Sequence, residues 1–563
     1  MGRYYIGLST SGHDPAFAIA DSSGEIIFAE ATERFTQVKR AWGIAPDLYD
    51  HIAPHLNRII DTDPNAQFSV STSWTREKQN IYGDSKTAKA SPSTLLIPEE
   101  YGLWLLGLQA QIHAGSAHNI KSMFKGRVDE DIKHYDHHLC HALNGVYSAS
   151  FDNGMVLVVD GEGETGSISL FEMQNRKLKR KWRSWGPGSL GTFYCWLTSL
   201  CGFDWVAGEE WKVMGLAAYG VADLSVASLL EQVLEFENGR PVFAEQQTVA
   251  KIVEAMQVFK RHHEAPVEKA ADLAATAQLV YQRFMCKVLD EVENYKHNNL
   301  ILSGGCALNS SFNGWLFKTG KFNAIHVPSA PADDGNAIGS AIANYISCTE
   351  QSIPSAKNSC YLGTKPNQKA IESTAKNSGW HVKRLKDDSP AFIAEQLSKG
   401  KIIGVFRGAA EFGPRALGHR SILADPRSHE MKSIINEKVK GRELYRPFAP
   451  IIKEELLSEW FDADQPSPYM AFAYPFHKDK ANQVSAVVHE DNTGRVQTVN
   501  STSEPWLYTL LSEFESLSGV PILLNTSFNV MGKPIVHSVE DAVSVFATSG
   551  LDGLLLENVY FYK

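Results

Sequence analysis

The sequence predicts an α/β protein of two domains, the first of which contains two related lobes. Its 563 residues exceed what one hydrophobic core organises, so more than one domain is expected. Residues 4–35 show a strand, a Gly-containing turn, a second strand, a turn and a third strand. The segment GMVLVVDGEGETGSISLFE repeats this pattern, because an apolar strand runs into Asp-Gly and a further strand follows the turn.

The elements that follow alternate between helix and strand. Residues 272–292 carry apolar side chains at helical spacing. The segments NNLILSGGCALNSSFNGWL and AIHVPSAPADDGNAIGSAIANYI each predict a strand, a turn of small residues and a helix. A polar stretch at 349–359 reads as a linker, so we predict a first domain over 1–350 and a second α/β domain over 360–563.

Composition excludes several classes of protein. Hydrophobic residues make up 43% and charged residues 21%, and the net charge of −10 argues against a general nucleic-acid binder. An anionic ligand would therefore need a local cationic cluster. The seven cysteines form no CxxC pair, which argues against a zinc ribbon or a disulfide framework. With no apolar run of membrane-spanning length and no export pattern at the N-terminus, we expect a cytoplasmic protein that does not enter a membrane.

The segment DHHLCHALNGVYSAS is rich in histidine and raises the question of a metal site. His137 and His141 are four residues apart and would share one face of a helix, which suits metal binding if two further ligands come from elsewhere. His134 and His138 have the same spacing, so spacing alone does not choose between the pairs. The other interpretation is that one histidine is exposed and the rest bond to a loop.

Carboxylates at strand ends would complete a metal site. Asp160 or Asp333 would supply hard oxygen donors beside the histidines. A mixed set of His and carboxylate ligands suits iron(II), manganese or zinc.

Glycine turns after strands indicate a nucleotide site or simply a tight turn. Backbone N–H groups in LSGGCALN and PADDGNAIGSA would lie close to a phosphate, and a following helix N-terminus would add a favourable field. Neither segment is a Walker loop or a GxGxxG fingerprint, so both interpretations stay open.

The second domain carries the cationic cluster that the acidic chain would need. The segments GVFRGAAEFGPRALGHRSILADPRS and NEKVKGRELYRPFAP interleave Arg and Lys with small residues, and Arg495 follows later. A guanidinium group binds phosphate or carboxylate with two parallel hydrogen bonds. Structural ion pairs with neighbouring Asp and Glu are the alternative. The segment LLNTSFNVMGKPI adds amides and a hydroxyl group after an apolar strand.

Taken together, these motifs resemble the O-carbamoyltransferases of the NodU/CmcH family of antibiotic and nodulation-signal biosynthesis. The resemblance runs almost from end to end. It rests on GHDPAFA, ATERF, HHLCHA, VVDGEGE, GEEWKVMGLAAYG, SGGCALN, DDGNAIG, FGPRALGHRSILADP, VKGRELYRPFAP, RVQTV and LLNTSFNVMGKPI.

The resemblance implies a fold and an activity. The first domain would resemble a Kae1-type domain with the actin-like ATPase fold, and the second would resemble a YrdC-type domain. The second domain would convert carbamoyl phosphate and ATP into carbamoyl adenylate, releasing phosphate and pyrophosphate. The first would transfer the carbamoyl group to a hydroxyl of a small secondary metabolite.

The resemblance also assigns residues in the first domain. It implies that a divalent metal, iron(II) before manganese, zinc or magnesium, is held by His137, His141, Asp160 and Asp333. It implies that His13 is the general base and that Lys212 takes part in catalysis. The residues implied to bind the nucleotide are Asp160, Gly161, Lys212, Gly215, Gly304, Gly305, Asn309 and Gly335.

In the second domain, the resemblance implies a substrate site with Arg415 as a catalytic residue. The residues implied to bind carbamoyl phosphate and ATP are Arg407, Arg415, Arg420, Lys440, Arg442, Arg446, Arg495, Asn525, Ser527 and Asn529.

Two positions depart from the family pattern. The family usually has Glu where Thr32 stands and an acidic residue where Lys533 stands, so acceptor specificity or nucleotide affinity would differ. The acceptor itself is unidentified, and we expect the loops at 74–101 and 224–263 to build its pocket. A monomer or a homodimer is expected.

Three other functions stay open at this stage. An actin-like small-molecule kinase or ATPase would explain the glycine turns but not the arginines of the second domain. A tRNA-modifying threonylcarbamoyl transferase is disfavoured by the acidic charge. A non-catalytic nucleotide-binding protein would bind ATP without releasing pyrophosphate.

Overall fold

The computed structural model describes residues 2–75, 93–185, 188–262, 264–356, 360–386 and 388–563. The two loops expected to build the acceptor pocket and the end of the predicted linker lie partly outside these residues. Among the described helices, none is both long and apolar enough to cross a membrane.

The strands of the described residues alternate with helices along most of the chain. In chain order the strands are β1 Arg3–Ser9, β2 Ala16–Ala20, β3 Ile26–Ala31, β4 Gln67–Thr72, β5 Lys133–His134, β6 Gly154–Val159, β7 Ile168–Gln174, β8 Lys177–Arg183, β9 Leu234–Glu237, β10 Arg240–Phe243, β11 Asn299–Ser303, β12 Ala324–His326, β13 His381–Arg384, β14 Ile403–Phe406, β15 Arg420–Ala424, β16 Ala449–Lys453, β17 Ala473–Pro475, β18 Thr493–Arg495, β19 Gln497–Val499, β20 Ile522–Ser527, β21 Gly553–Leu556 and β22 Val559–Tyr562.

The α-helices range from short turns to a long helix in the first half of the chain. In chain order they are α1 Thr32–Thr36, α2 Tyr49–Thr62, α3 Ser93–Leu96, α4 Glu99–Gly115, α5 His118–Met123, α6 His137–Ser148, α7 Leu190–Leu200, α8 Glu210–Leu216, α9 Leu224–Leu230, α10 Gln246–Met256, α11 Ala271–Glu293, α12 Ser310–Lys318, α13 Asn336–Thr349, α14 Gln368–Asn377, α15 Ser389–Ser398, α16 Glu430–Ile434, α17 Leu457–Trp460, α18 Lys478–Ala481, α19 Pro505–Ser518 and α20 Val539–Thr548.

The chain divides into two compact units. Unit 1 comprises Met1–Glu33, Arg40–Asn309 and Thr319–Asn358. Unit 2 comprises Ser359–Lys563 together with two short segments from the first half of the chain, Arg34–Lys39 and Ser310–Lys318.

Unit 1 contains two lobes with the same strand order. The first sheet is ordered β3-β2-β1-β4-β5 and the second is ordered β8-β7-β6-β11-β12. In each, three antiparallel strands are followed by two strands parallel to the first of the three. This shared order is that of the lobes of actin-like ATPases, so the predicted fold class and the predicted relation between the lobes are confirmed.

Helix α13 is packed unusually close to its neighbours in unit 1. A Cβ atom on Gly7 of β1 would lie 2.1 Å from the Ala337 carbonyl oxygen, and a Cβ atom on Gly339 would lie 1.9 Å from the Cys140 carbonyl oxygen. Glycine at these positions lets the backbone of α13 contact both β1 and α6. As a result, the start of α6 and the start of α13 lie side by side.

Unit 2 is built on a mixed sheet of eight strands. Their order is β13-β22-β21-β14-β15-β20-β16-β19. Helices α15 and α19 cover an apolar core that includes Leu397, Leu423, Phe514 and Leu523, all fully buried. This α/β unit is consistent with the YrdC-like domain that the sequence predicts.

Candidate functional site

Helix α6 begins at His137 because two carboxylates cap its N-terminus. The Asp136 side chain accepts a hydrogen bond from the Leu139 N–H at 2.9 Å. Both carboxylate oxygens of the buried Glu164 lie 3.1 Å from the His137 N–H. Negative charge at a helix N-terminus is favourable, so this arrangement fixes where His137 stands.

Four predicted metal ligands come together at the start of this helix. His137, His141, Asp160 and Asp333 are buried, and each offers one ligand atom within 4.8 Å of the others. The Nε2 atoms of the two histidines are 3.2 Å apart. The Asp160 Oδ2 atom lies 3.1 Å from the His137 Nε2 atom and 3.4 Å from the His141 Nε2 atom. The Asp333 Oδ1 atom lies 3.6 and 3.4 Å from the same two nitrogens.

Asp160 lies at a strand end, as the sequence predicts, whereas Asp333 lies at the start of a short helix. Asp160 directly follows β6, and its Oδ1 atom accepts a hydrogen bond from the Gly305 N–H at 3.0 Å. Asp333 begins a short 3₁₀ helix that leads into α13. His134 lies on β5, before α6 begins, so the pair of His134 and His138 does not share a helical face.

Electrostatics within the cluster favour charged carboxylates and cationic histidines. Burial alone lowers the pKa of His137, but the charge of Asp333 and the hydrogen bond to Asp160 outweigh it and raise that pKa well above its usual value. The pKa of His141 is raised by the same two carboxylates, again against the effect of burial. Burial opposes ionisation of Asp160 and Asp333, yet the neighbouring histidines lower the pKa of each carboxyl. The protons on the histidine ring nitrogens therefore lie where a metal cation would bind.

The outer ring nitrogens orient both histidines toward the centre of the cluster. The His141 Nδ1 atom lies 3.1 Å from the Pro331 carbonyl oxygen, which fixes the proton on Nδ1 and frees Nε2. The His137 Nδ1 atom lies 3.2 Å from the Asn336 side-chain amide, whose Oδ1 atom is buried and has no hydrogen-bond partner among the described residues. Rotating that amide by 180° lets its oxygen accept the Nδ1 proton of His137 and leaves the Nε2 atom directed at the cluster. The donor set thus fits a divalent metal ion.

His13 lies beside this cluster and is held by a charged network. Its Nδ1 atom is 2.9 Å from the Asp14 Oδ2 atom and 3.6 Å from the Asp333 Oδ2 atom. Arg40 donates hydrogen bonds to Asp14, and its Nη2 atom lies 3.1 Å from the His13 Nδ1 atom. Because the contact with Asp14 is the shortest, we assign the proton to Nδ1, which leaves the Nε2 lone pair available.

The glycines of the predicted nucleotide site line the ends of β6 and β11. Gly304 has φ of +89°, and a Cβ atom there would lie 2.3 Å from the Val159 carbonyl oxygen, so only glycine fits. The Gly161 carbonyl accepts a hydrogen bond from Ser189 at 2.6 Å. Gly335 lies in the short helix before α13, where its N–H donates to the Asp334 side chain. Gly305 contacts the cluster of histidines and aspartates directly, because its N–H donates to Asp160.

The remaining predicted nucleotide residues lie farther along unit 1. Lys212 and Gly215 are on α8, and the Lys212 ammonium pairs with Glu209 at 2.6 Å. Asn309 exchanges two side-chain hydrogen bonds with Gln278, at 3.0 and 3.1 Å. Gln278 is absent from the predicted site because α11, on which it lies, shows only a packing pattern in the sequence.

In unit 2, Lys440 is the centre of the predicted substrate loop. Its ammonium group donates to the Ser527 carbonyl, to the Asn529 carbonyl at 3.1 Å and to the Asn529 Oδ1 atom at 2.7 Å. Ser527 in turn donates to the Asn529 side chain at 2.8 Å. Burial and the neighbouring charges of Arg442 and Arg446 lower the pKa of Lys440 well below its usual value.

Four arginines lie around Lys440, and together they carry more positive charge than the neighbouring acidic groups neutralise. Burial, Arg415 and Arg442 together lower the pKa of Arg495 well below its usual value, and burial with Arg446 does the same for Arg442. Burial lowers the pKa of Arg415 to about 10. Within the described part of the chain, the guanidinium groups of Arg415 and Arg495 have no hydrogen-bond or ion-pair partner. Glu443, 3.3 Å from Arg446, is the acidic group paired with this set.

Arg420 differs from the other predicted substrate residues in its contacts. It is fully buried, and its terminal nitrogens donate to the carbonyl oxygens of Arg407 and Thr364 at 2.7 Å. These bonds support the surrounding loop, and Arg420 stays a predicted substrate residue. The Arg407 guanidinium is half-buried and stacks on the Trp506 ring, while Asn525 is buried and bonds to Gln497 and to the Ala416 carbonyl.

Several polar residues of these sites were not predicted from the sequence. Asp14 stands next to His13 in the GHD motif, so the sequence could have indicated that it contacts His13. Arg40, Glu164 and Asn336 act through contacts between segments that are distant in the chain, which spacing does not reveal.

Comparison with protein families identifies the class. Residues 4–342 match the family model described as Carbamoyltransferase N-terminus, and residues 394–563 match Carbamoyltransferase C-terminus. The chain belongs to the carbamoyltransferase family, as its motifs predict, and is an enzyme of that class.

Curated relatives agree over most of their length. The nodulation protein NolNO of Sinorhizobium fredii is 32% identical over 566 residues, covering 99% of this chain and 80% of the relative. An uncharacterised protein of Synechocystis, sll1178, is 36% identical over 469 residues, 76% of each chain. Nodulation protein U of Rhizobium tropici is 31% identical over 420 residues, 72% of this chain and 68% of the relative.

Likeness to solved structures is distant. Component A of the (R)-2-hydroxyglutaryl-CoA dehydratase of Acidaminococcus fermentans matches with a TM-score of 0.31 and 11% identity, over 61% of this chain and 98% of that one. The HypF protein of T. kodakarensis matches with a TM-score of 0.29 and 12% identity, over 62% of this chain and 48% of that one. The fold assignment therefore rests on the strand order of the two lobes.

Proposed function

We propose that this carbamoyltransferase uses carbamoyl phosphate and ATP to form carbamoyl adenylate, and then transfers the carbamoyl group to a hydroxyl of a small-molecule acceptor. Release of both phosphate and pyrophosphate requires one water molecule. Hydrolysis of carbamoyl phosphate gives carbamate and phosphate. A carbamate oxygen then attacks the α-phosphorus of ATP and displaces pyrophosphate. In the second step, the acceptor oxygen attacks the carbamoyl carbon, and AMP leaves.

The observation that carries the first step is the excess positive charge in unit 2. Lys440, Arg415, Arg442, Arg446 and Arg495 form a partly buried set, in which burial and the neighbouring positive charges lower the pKa values of Lys440, Arg442 and Arg495. Buried cations without counterions are costly, and an anionic ligand removes that cost. Carbamoyl phosphate and the triphosphate of ATP supply that negative charge.

We assign the metal centre to His137, His141, Asp160 and Asp333. A divalent ion, iron(II), manganese, zinc or magnesium, supplies Lewis-acid polarisation of an anionic group when bound. The Pro331 carbonyl and the Asn336 amide hold the two imidazole rings toward the centre. Asp333 joins the cluster to His13, because its two carboxylate oxygens face the two histidines on one side and His13 on the other.

His13 is the proposed general base of the transfer step. Asp14 holds the Nδ1 proton, which leaves Nε2 to accept the proton of the acceptor hydroxyl as its oxygen attacks. Arg40 keeps Asp14 ionised: burial acts to raise the pKa of Asp14, but the charge of Arg40 outweighs burial and lowers it. A neutral His13 with an ionised Asp14 is the arrangement that a general base requires.

The glycines at the ends of β6 and β11 are proposed to hold the nucleotide in unit 1. Gly161 follows β6, Gly304 and Gly305 follow β11, and Gly335 precedes α13. A residue without a side chain lets a nucleotide approach the backbone closely at these positions. Lys212, Gly215 and Asn309 stay predicted nucleotide contacts.

Pyrophosphate release tests this proposal. Wild type is incubated with ATP, with and without carbamoyl phosphate, and compared with Arg415→Ala. Arg384→Ala is the matched control, because Arg384 is exposed in unit 2 and pairs with Glu372 at the surface. We expect release that depends on carbamoyl phosphate, persists in Arg384→Ala and falls more than about tenfold in Arg415→Ala. ADP as the product in place of AMP and pyrophosphate would contradict the proposal and favour a kinase.

A further inference from the structure

A short series of hydrogen bonds in unit 2 links an aspartate and a threonine to a histidine. The Asp491 Oδ1 atom accepts a hydrogen bond from the Thr493 hydroxyl at 2.7 Å and another from the Thr493 N–H at 3.1 Å. The Thr493 Oγ1 atom lies 3.1 Å from the His489 Nδ1 atom. We call Asp491, Thr493 and His489 the Asp–Thr–His series.

The Asp–Thr–His series is built into a tight turn that leads into β18. The His489 N–H donates to the Thr493 carbonyl at 2.8 Å, and the His489 carbonyl accepts from the Asn492 N–H at 3.0 Å. Asn492 has φ of +62°, a left-handed conformation that asparagine adopts more readily than most residues. Its side chain donates to the Phe476 carbonyl at 3.0 Å, which joins the turn to the segment after β17. The turn therefore holds the imidazole ring of His489 against the hydroxyl group of Thr493.

The hydrogen bonds of this turn decide which ring nitrogen of His489 carries the proton. The Thr493 hydroxyl has one hydrogen, which it donates to Asp491. Its oxygen therefore accepts from His489, which assigns the proton to Nδ1 and leaves a lone pair on Nε2. The Nε2 atom is buried and has no hydrogen-bond partner among the described residues. A buried acceptor without a partner is costly, and a bound molecule that donates to it removes that cost.

Positive charges near His489 favour its neutral form. Burial, together with the charges of Arg495 and Lys432, lowers the pKa of His489 to about 4 against the opposing charge of Asp491. The ring is therefore neutral at pH 7, and its Nε2 lone pair is able to accept a proton. Arg495, two residues after Thr493 on β18, belongs to the cationic set proposed to bind carbamoyl phosphate and ATP. One strand thus carries both a substrate-binding cation and the residue that orients His489.

From this arrangement we infer that His489 is the general base that activates water for the hydrolysis of carbamoyl phosphate, with Thr493 and Asp491 as positioning residues. This inference rests on the proposed function and deepens it, since that function requires one water molecule. A neutral imidazole that is oriented by a second polar group is a common form of general base in enzymes. The cationic set binds the phosphate group, and His489 accepts a proton from the water.

In this step, the water oxygen attacks the carbamoyl carbon while the His489 Nε2 atom takes one of the water protons. A C–O bond forms to the water oxygen, and the C–O bond to the phosphate group breaks. The departing phosphate takes the proton from Nε2 and leaves as hydrogen phosphate. The other product is carbamic acid, which loses a proton to solvent and becomes the carbamate that attacks ATP. Proton removal assists attack at a carbonyl carbon more than attack at phosphorus, because the transition state of phosphoryl transfer is loose.

Supplying carbamate directly tests the inference, because carbamate enters the reaction after the proposed step. Pyrophosphate release from ATP is measured with either carbamoyl phosphate or freshly dissolved ammonium carbamate. The enzymes compared are wild type, His489→Gln, Thr493→Val and His381→Gln. His381 is the matched control, since it is exposed on β13 of the same unit and stacks on Tyr562. Reactions without enzyme correct for the spontaneous breakdown of carbamoyl phosphate.

With carbamoyl phosphate, we expect His489→Gln to lower kcat for pyrophosphate release more than about 100-fold with little change in KM. Thr493→Val keeps the shape of the side chain but loses the oxygen that accepts the Nδ1 proton, so its kcat should fall about tenfold. With carbamate, both variants should release pyrophosphate at close to the wild-type rate. His381→Gln should match wild type with either compound.

Water labelled with ¹⁸O identifies which atom of carbamoyl phosphate is attacked. The wild-type reaction is run in labelled water, and the released phosphate is analysed by mass spectrometry. Attack at the carbamoyl carbon places the label in carbamate, so we expect the phosphate to contain no oxygen from the solvent.

Four results would overturn the inference. Two of them are an equal loss of activity with both compounds in His489→Gln, and no loss with carbamoyl phosphate in that variant. The third is ¹⁸O in the released phosphate. The fourth is a wild-type enzyme that uses carbamoyl phosphate but not carbamate, because carbamate would then not be an intermediate. If His489→Gln does not fold, Thr493→Val decides by the same comparison. Failure of the proposed function is distinguishable, because wild type would then release no pyrophosphate with either compound.

Discussion

The charged clusters of unit 1 and unit 2 bury ionisable groups in opposite ways. In unit 1, two histidines and two aspartates lie within 4.8 Å of one another, and each raises or lowers its neighbours' pKa values toward the charged form. In unit 2, like charges are crowded and lower one another's pKa values. In unit 1, protons on the histidines balance the carboxylate charges at the positions where a metal cation would bind. In unit 2, the positive charges are balanced when an anionic ligand binds.

This difference predicts which cluster lowers the stability of the ligand-free protein. A cluster of paired opposite charges holds its geometry before a ligand arrives. A cluster with more positive than negative charge destabilises the protein without its ligand and is stabilised by binding an anion. We therefore expect substitutions in the two clusters to have different effects on both activity and stability.

The largest expected effect comes from removing one carboxylate of unit 1. Asp160→Asn keeps the size of the side chain but loses the charge that faces both histidines. We expect metal content, measured by elemental analysis, and carbamoyl transfer each to fall more than about 100-fold. His138→Gln is the control, because His138 is equally buried in α6 but bonds to Ser169. Full metal content in Asp160→Asn would show that the cluster is not the metal centre.

A second variant breaks the geometry of unit 1 without touching a ligand. Gly339→Ala places a methyl group 1.9 Å from the Cys140 carbonyl oxygen and must push α13 away from α6. We expect a destabilisation of roughly 1–3 kcal/mol and a lower metal affinity, measured by chemical unfolding and metal titration. Gly107→Ala on α4 has open space around the new methyl group and should neither lower the stability nor change the metal affinity. Equal behaviour of the two variants would contradict the close packing of α6 and α13.

In unit 2, removing one cation should affect binding and stability in opposite directions. Arg495→Met keeps an apolar stem and removes a charge that Arg415 and Arg442 repel. We expect KM for carbamoyl phosphate or ATP to rise at least about tenfold, and the free energy of unfolding of the ligand-free protein to rise by about 1 kcal/mol. The control Arg384→Met removes an exposed, paired guanidinium. A loss of stability in Arg495→Met would show that the cluster is neutralised in the free protein.

The smallest expected effect is a pH dependence of stability from Lys440. Its folded-state pKa is lowered below the unfolded value of 10.5, so the folded state binds fewer protons than the unfolded state between these two pKa values. Stability then rises with pH in that window, because the cost of holding a buried cation disappears. The difference in Tm between wild type and Lys440→Met should therefore change in favour of wild type as pH increases from 7 to 10. Lys399→Met, at an exposed ion pair of α15, should show no such trend; a matching trend there would remove Lys440 as its source.

Sequence patterns predicted part of the cluster of unit 1, and the family resemblance implied the rest. The spacing of His137 and His141 predicts one helical face, but His134 and His138 have the same spacing, and the resemblance chose between the two pairs. Asp160 follows an apolar strand, as its pattern predicts. The strand order of the two lobes and the positions of α11 and α13 agree with the elements read from the sequence.

The rest depends on contacts that spacing does not encode. Arg420 stands in the same arginine-rich segment as Arg415, and only burial distinguishes a residue that holds the loop from one without a partner. Glu164 and Asn336 likewise contact His137 from positions 27 and 199 residues away in the chain.

The central claim is that the two clusters serve separate half-reactions. The most direct measurement records pyrophosphate release, and carbamoyl transfer from radiolabelled carbamoyl phosphate to a panel of hydroxyl compounds, in the same reactions for wild type, Asp160→Asn and Arg415→Ala. The account predicts that Asp160→Asn releases pyrophosphate at close to the wild-type rate but transfers no carbamoyl group, and that Arg415→Ala does neither. Loss of both activities in a folded Asp160→Asn, or normal pyrophosphate release by Arg415→Ala, would contradict it.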